Sequence, residues 1–203
     1  WKTYASPFIL GNGIHTVQFQ ASDNAGNIKT TPAQIFRVDT NAPNIVPTVT
    51  GTSGSNGWYV SNAQVSAVSS DAGSGLDLLK FALDGKVAQV YTAPISLSDG
   101  LHTIQFQSTD FAGNIATTSV SVKVDTVPPA QTFVLNGTSG LKNWYVSNVL
   151  ATITTSDATS GNMVTTITDN DGAAQSDPIT LTEGIHNLQV VSVDEAGNSV
   201  SAS

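Results

Sequence analysis

Apolar and polar side chains alternate with a period of two in three well-separated stretches. His15, Val17, Phe19 and Ala21 fall on one face of the first, and Thr16, Gln18, Gln20 and Ser22 on the other. His102, Ile104, Phe106 and Ser108, then His186, Leu188, Val190 and Ser192, repeat the pattern. One apolar face at a period of two predicts a half-buried antiparallel strand. Each run ends in Asp-x-Ala-Gly-Asn, at Asp23–Asn27, Asp110–Asn114 and Asp194–Asn198. Gly and Asn tolerate positive φ and Asp bonds its own backbone, so this is a turn. A second alternating run follows, Phe36 and Val38 in the first copy and Val120, Val122 and Val124 in the second. Each pair of runs predicts a hairpin.

The three histidines stand 87 and 84 residues apart, and Trp58-Tyr59 returns as Trp144-Tyr145. Self-similarity at a fixed period is the mark of a repeat array. Val38-Asp39-Thr40-Asn41-Ala42-Pro43 and Val124-Asp125-Thr126-Val127-Pro128-Pro129 read as linkers, because proline stiffens the chain and ends strand pairing. The domains expected are therefore 1–43, the closing half of a repeat; 44–129, a complete repeat; and 130–203, a repeat without its last strand. In the complete repeat about seven short strands, including the runs around Val65, Phe81 and Ile95, alternate with turns such as Asp84-Gly85. That count and spacing predict an all-β fold of tandem immunoglobulin-like sandwiches, the terminal ones incomplete.

Composition narrows the setting. The 203 residues contain no cysteine, which excludes a disulfide framework and thiol chemistry. Seven basic against 15 acidic residues give a formal charge of −8, which argues against a nucleic-acid surface and leaves carboxylates free for cations. No apolar run is long enough to span a bilayer. With no signal peptide at Trp1, the chain is expected to begin inside a larger product.

Taken together, Leu83-Asp84-Gly85, Tyr91-Thr92-Ala93-Pro94-Ile95, Asp99-Gly100-Leu101-His102-Thr103, Asp110-Phe111-Ala112-Gly113-Asn114 and Val-Asp-Thr-x-x-Pro resemble the bacterial Ig-like repeats of surface and secreted proteins. The resemblance spans essentially the whole chain; the third copy departs from it around Asp169-Asn170-Asp171-Gly172, where Tyr91 has no clear counterpart. It implies an extracellular or cell-surface home. It also implies a structural role, as a spacer that presents or assembles other domains beside neighbouring repeats or subunits. Such repeats also occur as carbohydrate- or protein-binding modules of adhesins and as accessory domains of secreted enzymes.

Few residues invite chemistry. His15, His102 and His186 have no second His or Cys at ligand spacing, and each stands on the inward face at a strand start, where immunoglobulin sandwiches place a corner tyrosine. A structural role is expected of them. No Ser-His-Asp set is apparent, and Glu183 and Glu195 are the only glutamates, so no enzyme is expected. Trp58, Tyr59, Trp144 and Tyr145 are either strand-entry packing or a platform for a sugar ring. The acidic turns are the stronger candidates. In this topology the turn between the last two strands and the loop after the second strand share the pole where the chain enters. Asp71, Asp110 and Asn114 should then meet Asp39, and Asp157, Asp194 and Asn198 should meet Asp125. Such oxygen-rich clusters suit Ca2+ at the domain junctions, unless each Asp merely caps its own turn.

Overall fold

The computed structural model describes residues 1–170 and 172–203, the side chains of 162 and 163 excepted. Asp171, within the stretch where the third copy departs from the pattern, lies outside the described residues. The first repeat contributes β1 (Gly13–Val17), β2 (Gln20–Ser22), β3 (Ile28–Thr30) and β4 (Gln34–Val38). The second contributes β5 (Asn44–Thr50), β6 (Trp58–Tyr59), β7 (Ala63–Ser70), β8 (Leu76–Leu83), β9 (Gln89–Val90), β10 (Ile95–Leu97), β11 (Gly100–Asp110) and β12 (Ile115–Val124). The third contributes β13 (Ala130–Asn136), β14 (Val149–Ser156), β15 (Asn162–Asp169), β16 (Ala174–Gln175), β17 (Ile179–Leu181), β18 (Leu188–Asp194) and β19 (Ser199–Ala202). Among the described residues all of these elements are strands, and no helix is long and apolar enough to cross a membrane.

The second repeat builds a three-stranded sheet, β10-β7-β5, and a five-stranded sheet, β6-β12-β11-β8-β9. The third repeats this plan as β13-β14-β17 and β16-β15-β18-β19. Two sheets per repeat with this strand order make the chain a tandem immunoglobulin-like β-sandwich protein. By packing, the chain divides into two compact units of discontinuous stretches, 1–48 with 67–93 and 103–120, and 49–66 with 94–102 and 121–203. The division passes through the second repeat, so packing units and sequence repeats do not coincide.

In the first unit β11 shows the expected alternation, with Ile104, Phe106, Ser108 and Asp110 buried and the residues between them turned outward. It pairs antiparallel with β8 from Ile104↔Leu83 to Asp110↔Leu76, with a register shift at Thr109/Asp110 where β8 carries the extra residue, Asp77. Asp84 and Gly85 both take positive φ, 52° and 70°, as a tight turn after β8 requires. The Tyr91 ring meets Phe81 and Phe106 edge-on, and its hydroxyl accepts the Ala67 N–H at 3.2 Å. A half-buried aromatic hydroxyl thus finds a partner. The first repeat departs from expectation. Its single long strand is two short ones, Phe19 is 49% exposed, and Ala21 lies open. Among the described residues its strand pairings are β1–β4 and β2–β3, and the Tyr4 ring meets Phe19 edge-on at 5.9 Å.

The second unit has its own core of Ala151, Ile153, Ile167, Ile179 and Val190, flanked by Leu181 and Leu188. Where Tyr91 has no counterpart, Asp177 does the same work: its Oδ1 accepts the N–H of Ile153 at 2.8 Å, the residue that matches Ala67. The predicted third strand begins later than its pattern, at Leu188 rather than Gly184, and β19 pairs with it only from Val190 to Val193. In the second repeat the end of β12 runs on to pair in parallel with β6, Lys123 opposite Trp58 and Val124 opposite Tyr59.

Candidate functional site

The Asp-x-Ala-Gly-Asn turn is closed by its own first residue. Asp110 Oδ1 accepts the Asn114 N–H at 2.8 Å, and Oδ2 accepts the Asn114 side-chain amide at 2.8 Å. Asp194 holds Asn198 in the same way at 2.8 and 2.9 Å. Asp23 and Asn27 repeat this in the first copy, fully in solvent. Local residues thus dictate the turn, as an aspartate side chain bonding a few residues ahead should.

What lies beyond the turn is not local. The Asn114 amide also donates to the carbonyl of Asp39 at 3.2 Å, and Asn198 donates to that of Asp125 at 3.0 Å. The linker aspartates reach the loop after the second strand: Asp39 Oδ2 accepts the Ser74 N–H at 2.6 Å, while Asp125 accepts both the N–H and the hydroxyl of Ser160. Asp71 caps that loop by accepting from Gly73 and Gly75, and Asp157 caps its own by accepting from Thr159, Ser160 and Gly161. Gly73 is needed where it stands, since a Cβ there would lie 2.5 Å from the Asp39 carboxylate.

Two clusters result, Asp39 with Asp71 and Asp110, and Asp125 with Asp157 and Asp194, each with one carboxylate oxygen per residue within 4.8 Å of the others. Asp110, Asp125 and Asp194 are buried. The expected groupings therefore meet in space, Asn114 and Asn198 among them. Bonds from the Ser74 hydroxyl and the N–H groups of Asn41 and Ser74 hold the Asp39 carboxyl below the usual carboxylate range. Burial pushes Asp110 up, but the Asn114 side chain and the N–H groups of Asn114, Gly113 and Ala112 outweigh it and leave it lowered. Carboxylate oxygens gathered at this spacing fit a hard cation: Ca2+–O bonds of about 2.4 Å put two ligands at most about 4.8 Å apart.

Each histidine Nε2 donates to the carbonyl four residues earlier, His15 to Gly11 at 2.7 Å, His102 to Ser98 at 3.0 Å and His186 to Thr182 at 3.1 Å. All three rings are half-buried. The aromatic pairs diverge. Trp58 is 5% exposed with the Lys123 ammonium 5.6 Å from its ring, which leaves no open face for a sugar. Trp144 is 61% exposed and Tyr145 39%.

Three features lie outside the residues singled out from the sequence. Ser74 and Ser160, 86 residues apart, complete the acid clusters. Asn12 and Asp99 stand just before the Gly-x-His of their repeats. Asn12 accepts from Thr40 N and Oγ1 at 3.0 and 2.9 Å, and Asp99 from Thr126 N and Oγ1 at 3.0 and 3.1 Å. Finally, Ser55 N donates to Ala196 O at 2.7 Å and Asn56 to Glu195 O at 3.0 Å, tying a loop of the second repeat to a turn of the third. The first two are periodic and could be found by aligning the copies; the third pairs residues with no shared pattern.

No curated protein matches the chain. A crystal structure of a tetra-tandem repeat in the extending region of a large adhesion protein aligns with 95% of this chain at 20% identity and TM-score 0.31. The chain spans 56% of that structure's length. A family model described as bacterial Ig-like domain matches residues 51–126, and a second of the same description matches 11–40. Over those two stretches the chain is similar to bacterial Ig-like domains.

Proposed function

We propose that this chain is a structural segment of an extracellular surface protein, in which repeats 1–43, 44–129 and 130–203 space, present or assemble other domains and do no catalysis. The observation that carries it is the recurrence of one bonding network. At both Asp39 and Asp125 an asparagine amide, a serine and an Asp-capped loop grip the residue that joins one repeat to the next. A chain built to transmit position needs its linkers fixed, and here the same hydrogen bonds fix two of them. Replacing Asn114 and Asn198 by Ala tests this. Small-angle scattering should show a broader distribution of conformations, and protease cleavage at 39–43 and 125–129 should speed up, while the circular dichroism of the strands is kept. Unchanged scattering and cleavage would reduce the asparagines to turn caps.

Two finer readings follow. Ca2+ bound at the carboxylate clusters would tighten both linkers, supported by oxygens within 4.8 Å of one another. A binding role for a glycan or a surface protein is favoured at one place, the exposed Trp144-Tyr145 pair of the third repeat. A glycan array probed with the whole chain would show it as binding lost on Trp144→Ala and kept on Trp58→Ala.

A further inference from the structure

Loop 53–57 of the second repeat meets the third repeat's Asp-x-Ala-Gly-Asn turn, and both belong to the same packing unit. The Ser55 N–H donates to the Ala196 carbonyl at 2.7 Å, and the Asn56 side-chain amide donates to the Glu195 carbonyl at 3.0 Å. The loop therefore reads the backbone of the turn, at a distance that a side chain on Gly54 would not allow: its Cβ would collide with the Ala196 carbonyl. A Cβ on Gly197 would likewise stand 2.8 Å from Ser55 Oγ. The loop's shape belongs to the repeat. Gly54 N–H bonds Trp58 O and Trp58 N–H bonds Ser55 O, at 2.8 and 2.9 Å, with Asn56 and Gly57 at positive φ. Residues 140–143 repeat this, Gly140 N–H to Trp144 O and Trp144 N–H to Leu141 O at 2.7 and 3.1 Å, with Lys142 and Asn143 at positive φ.

Two copies of the turn show what this contact changes. Ala112 and Ala196 hold the same place, and each N–H bonds a serine of its own repeat, Ala112 to Ser74 Oγ at 3.1 Å and Ala196 to Ser160 Oγ at 3.3 Å. Ala112 is nonetheless exposed, while Ala196 is 0% exposed. We infer that loop 53–57 is the surface by which the second repeat selects and seats the repeat that follows, its partner being a turn with Ala and Gly at the third and fourth positions of Asp-x-Ala-Gly-Asn. The x position is free to vary, because only its carbonyl is read and the Glu195 side chain stays in solvent. Asp194 and Asn198 close the turn from within; Ala196 is small because the loop comes down on it. Docking also completes a ring of bonds around the linker. The Asp125 N–H donates to Tyr59 O at the end of the loop, Asn198 donates to the Asp125 carbonyl, and Ser55 returns from the loop to the turn. A linker held at one point is a pivot, and the second attachment removes it.

This deepens the spacer role proposed above and rests on it, with a separable test: if the loop proves undocked while the asparagine variants still loosen the linkers, only the docking is lost. The chain has no cysteine, so a designed pair reports the contact directly. A Cβ on Gly197 would lie 3.5 Å from Ser55 Cβ, within the span of a disulfide. Ser55→Cys with Gly197→Cys should close an intramolecular disulfide in the whole chain under a glutathione buffer, read by mass spectrometry of the monomer. Ser55→Cys with Gly113→Cys should stay reduced. Selection is read by hydrogen exchange. Gly197→Ala and Gly113→Ala impose the same backbone strain, at φ 97° and 95°, but a Cβ on Gly113 meets nothing within 4 Å. Exchange of the Ser55 amide should speed up about tenfold in Gly197→Ala and stay unchanged in Gly113→Ala. Ala196→Leu should free the same amide, and Ala112→Leu should not. The inference is overturned if the Ser55/Gly197 cysteine pair stays reduced in a chain whose strand circular dichroism is kept, or if the two glycine variants leave Ser55 exchanging alike.

Discussion

One imidazole at each strand start performs a repeated task, and the third copy adds charge to it. His102 Nε2–H satisfies the Ser98 carbonyl at the rim of the core, so His102→Ala should cost about 1 kcal/mol in denaturant unfolding. His186 differs because Asp169 lies 2.6 Å from its Nδ1 while Nε2 bonds the Thr182 carbonyl. A neutral ring donates from only one nitrogen, so satisfying both acceptors requires the imidazolium. The bond to Asp169 and then the Thr182 carbonyl accordingly raise the His186 pKa above its ordinary value. The stabilisation is complete below the unfolded value of about 6.5 and is lost as pH climbs through the higher folded value. Melting temperature should therefore fall as pH rises above about 6.5, and Asp169→Asn should flatten that fall; a profile the same in both proteins would remove the ion pair from the stability account. Asp39 and Asp110 act with the opposite sign, since their lowered values give stability present above the normal carboxylate range and lost as pH drops through the folded ones.

At the scale of the element, a strand's pattern foretells its path better than its burial. β11 was legible because the apolar positions of its inward face, Ile104 and Phe106, are buried, and even the Asp110 that ends it is explained by the turn it caps. The same pattern at Phe19 misleads, because alternation records which side chains share a face and says nothing about whether another sheet arrives to cover it. His186 and Asn187 show the converse: β18 starts only at Leu188, and Asn187 bonds the turn after β15 instead, its N–H to the side chains of Asp169 and Asn170 and its carbonyl to the Asn170 N–H. Trp58 and Trp144 are indistinguishable in sequence and differ tenfold in exposure, decided by a strand more than 60 residues from Trp58. Val124→Ala tests that dependence. Emptying this fully buried site should cost about 2 kcal/mol and also red-shift the Trp58 emission as β12 loosens over it. A loss of stability with Trp58 emission unchanged would show that the ring is sheltered by other contacts.

For the whole molecule, the acid clusters were legible as groupings because topology alone brings a linker, a loop and a turn to one pole. Their serines stand out only when the copies are aligned, since Ser is too common in this chain for either to be singled out alone. The clusters matter beyond their own bonds because three carboxylates at one point repel unless something intervenes. Hydrogen bonds from Asn114, Ser74 and the loop N–H groups take up part of that repulsion, which keeps Asp39 and Asp110 ionised. They leave the negative charge in place, and a divalent cation would cancel it. If Ca2+ binds there, it binds the folded chain alone, because the three residues of each cluster come from segments that separate on unfolding. Stability should then rise with the logarithm of free Ca2+, by about 2.7 kcal/mol at a hundredfold excess over Kd, and melting should shift up by several degrees. EDTA should reverse the shift. Asp71→Asn and Asp157→Asn together should abolish it at little cost in the metal-free protein, since an asparagine oxygen still accepts the loop N–H bonds. Calorimetry should count two sites, one per cluster, and Mg2+ should substitute poorly because it demands a tighter octahedron. A melt indifferent to Ca2+, EDTA and both substitutions would assign the clusters wholly to the hydrogen bonds that hold the linkers.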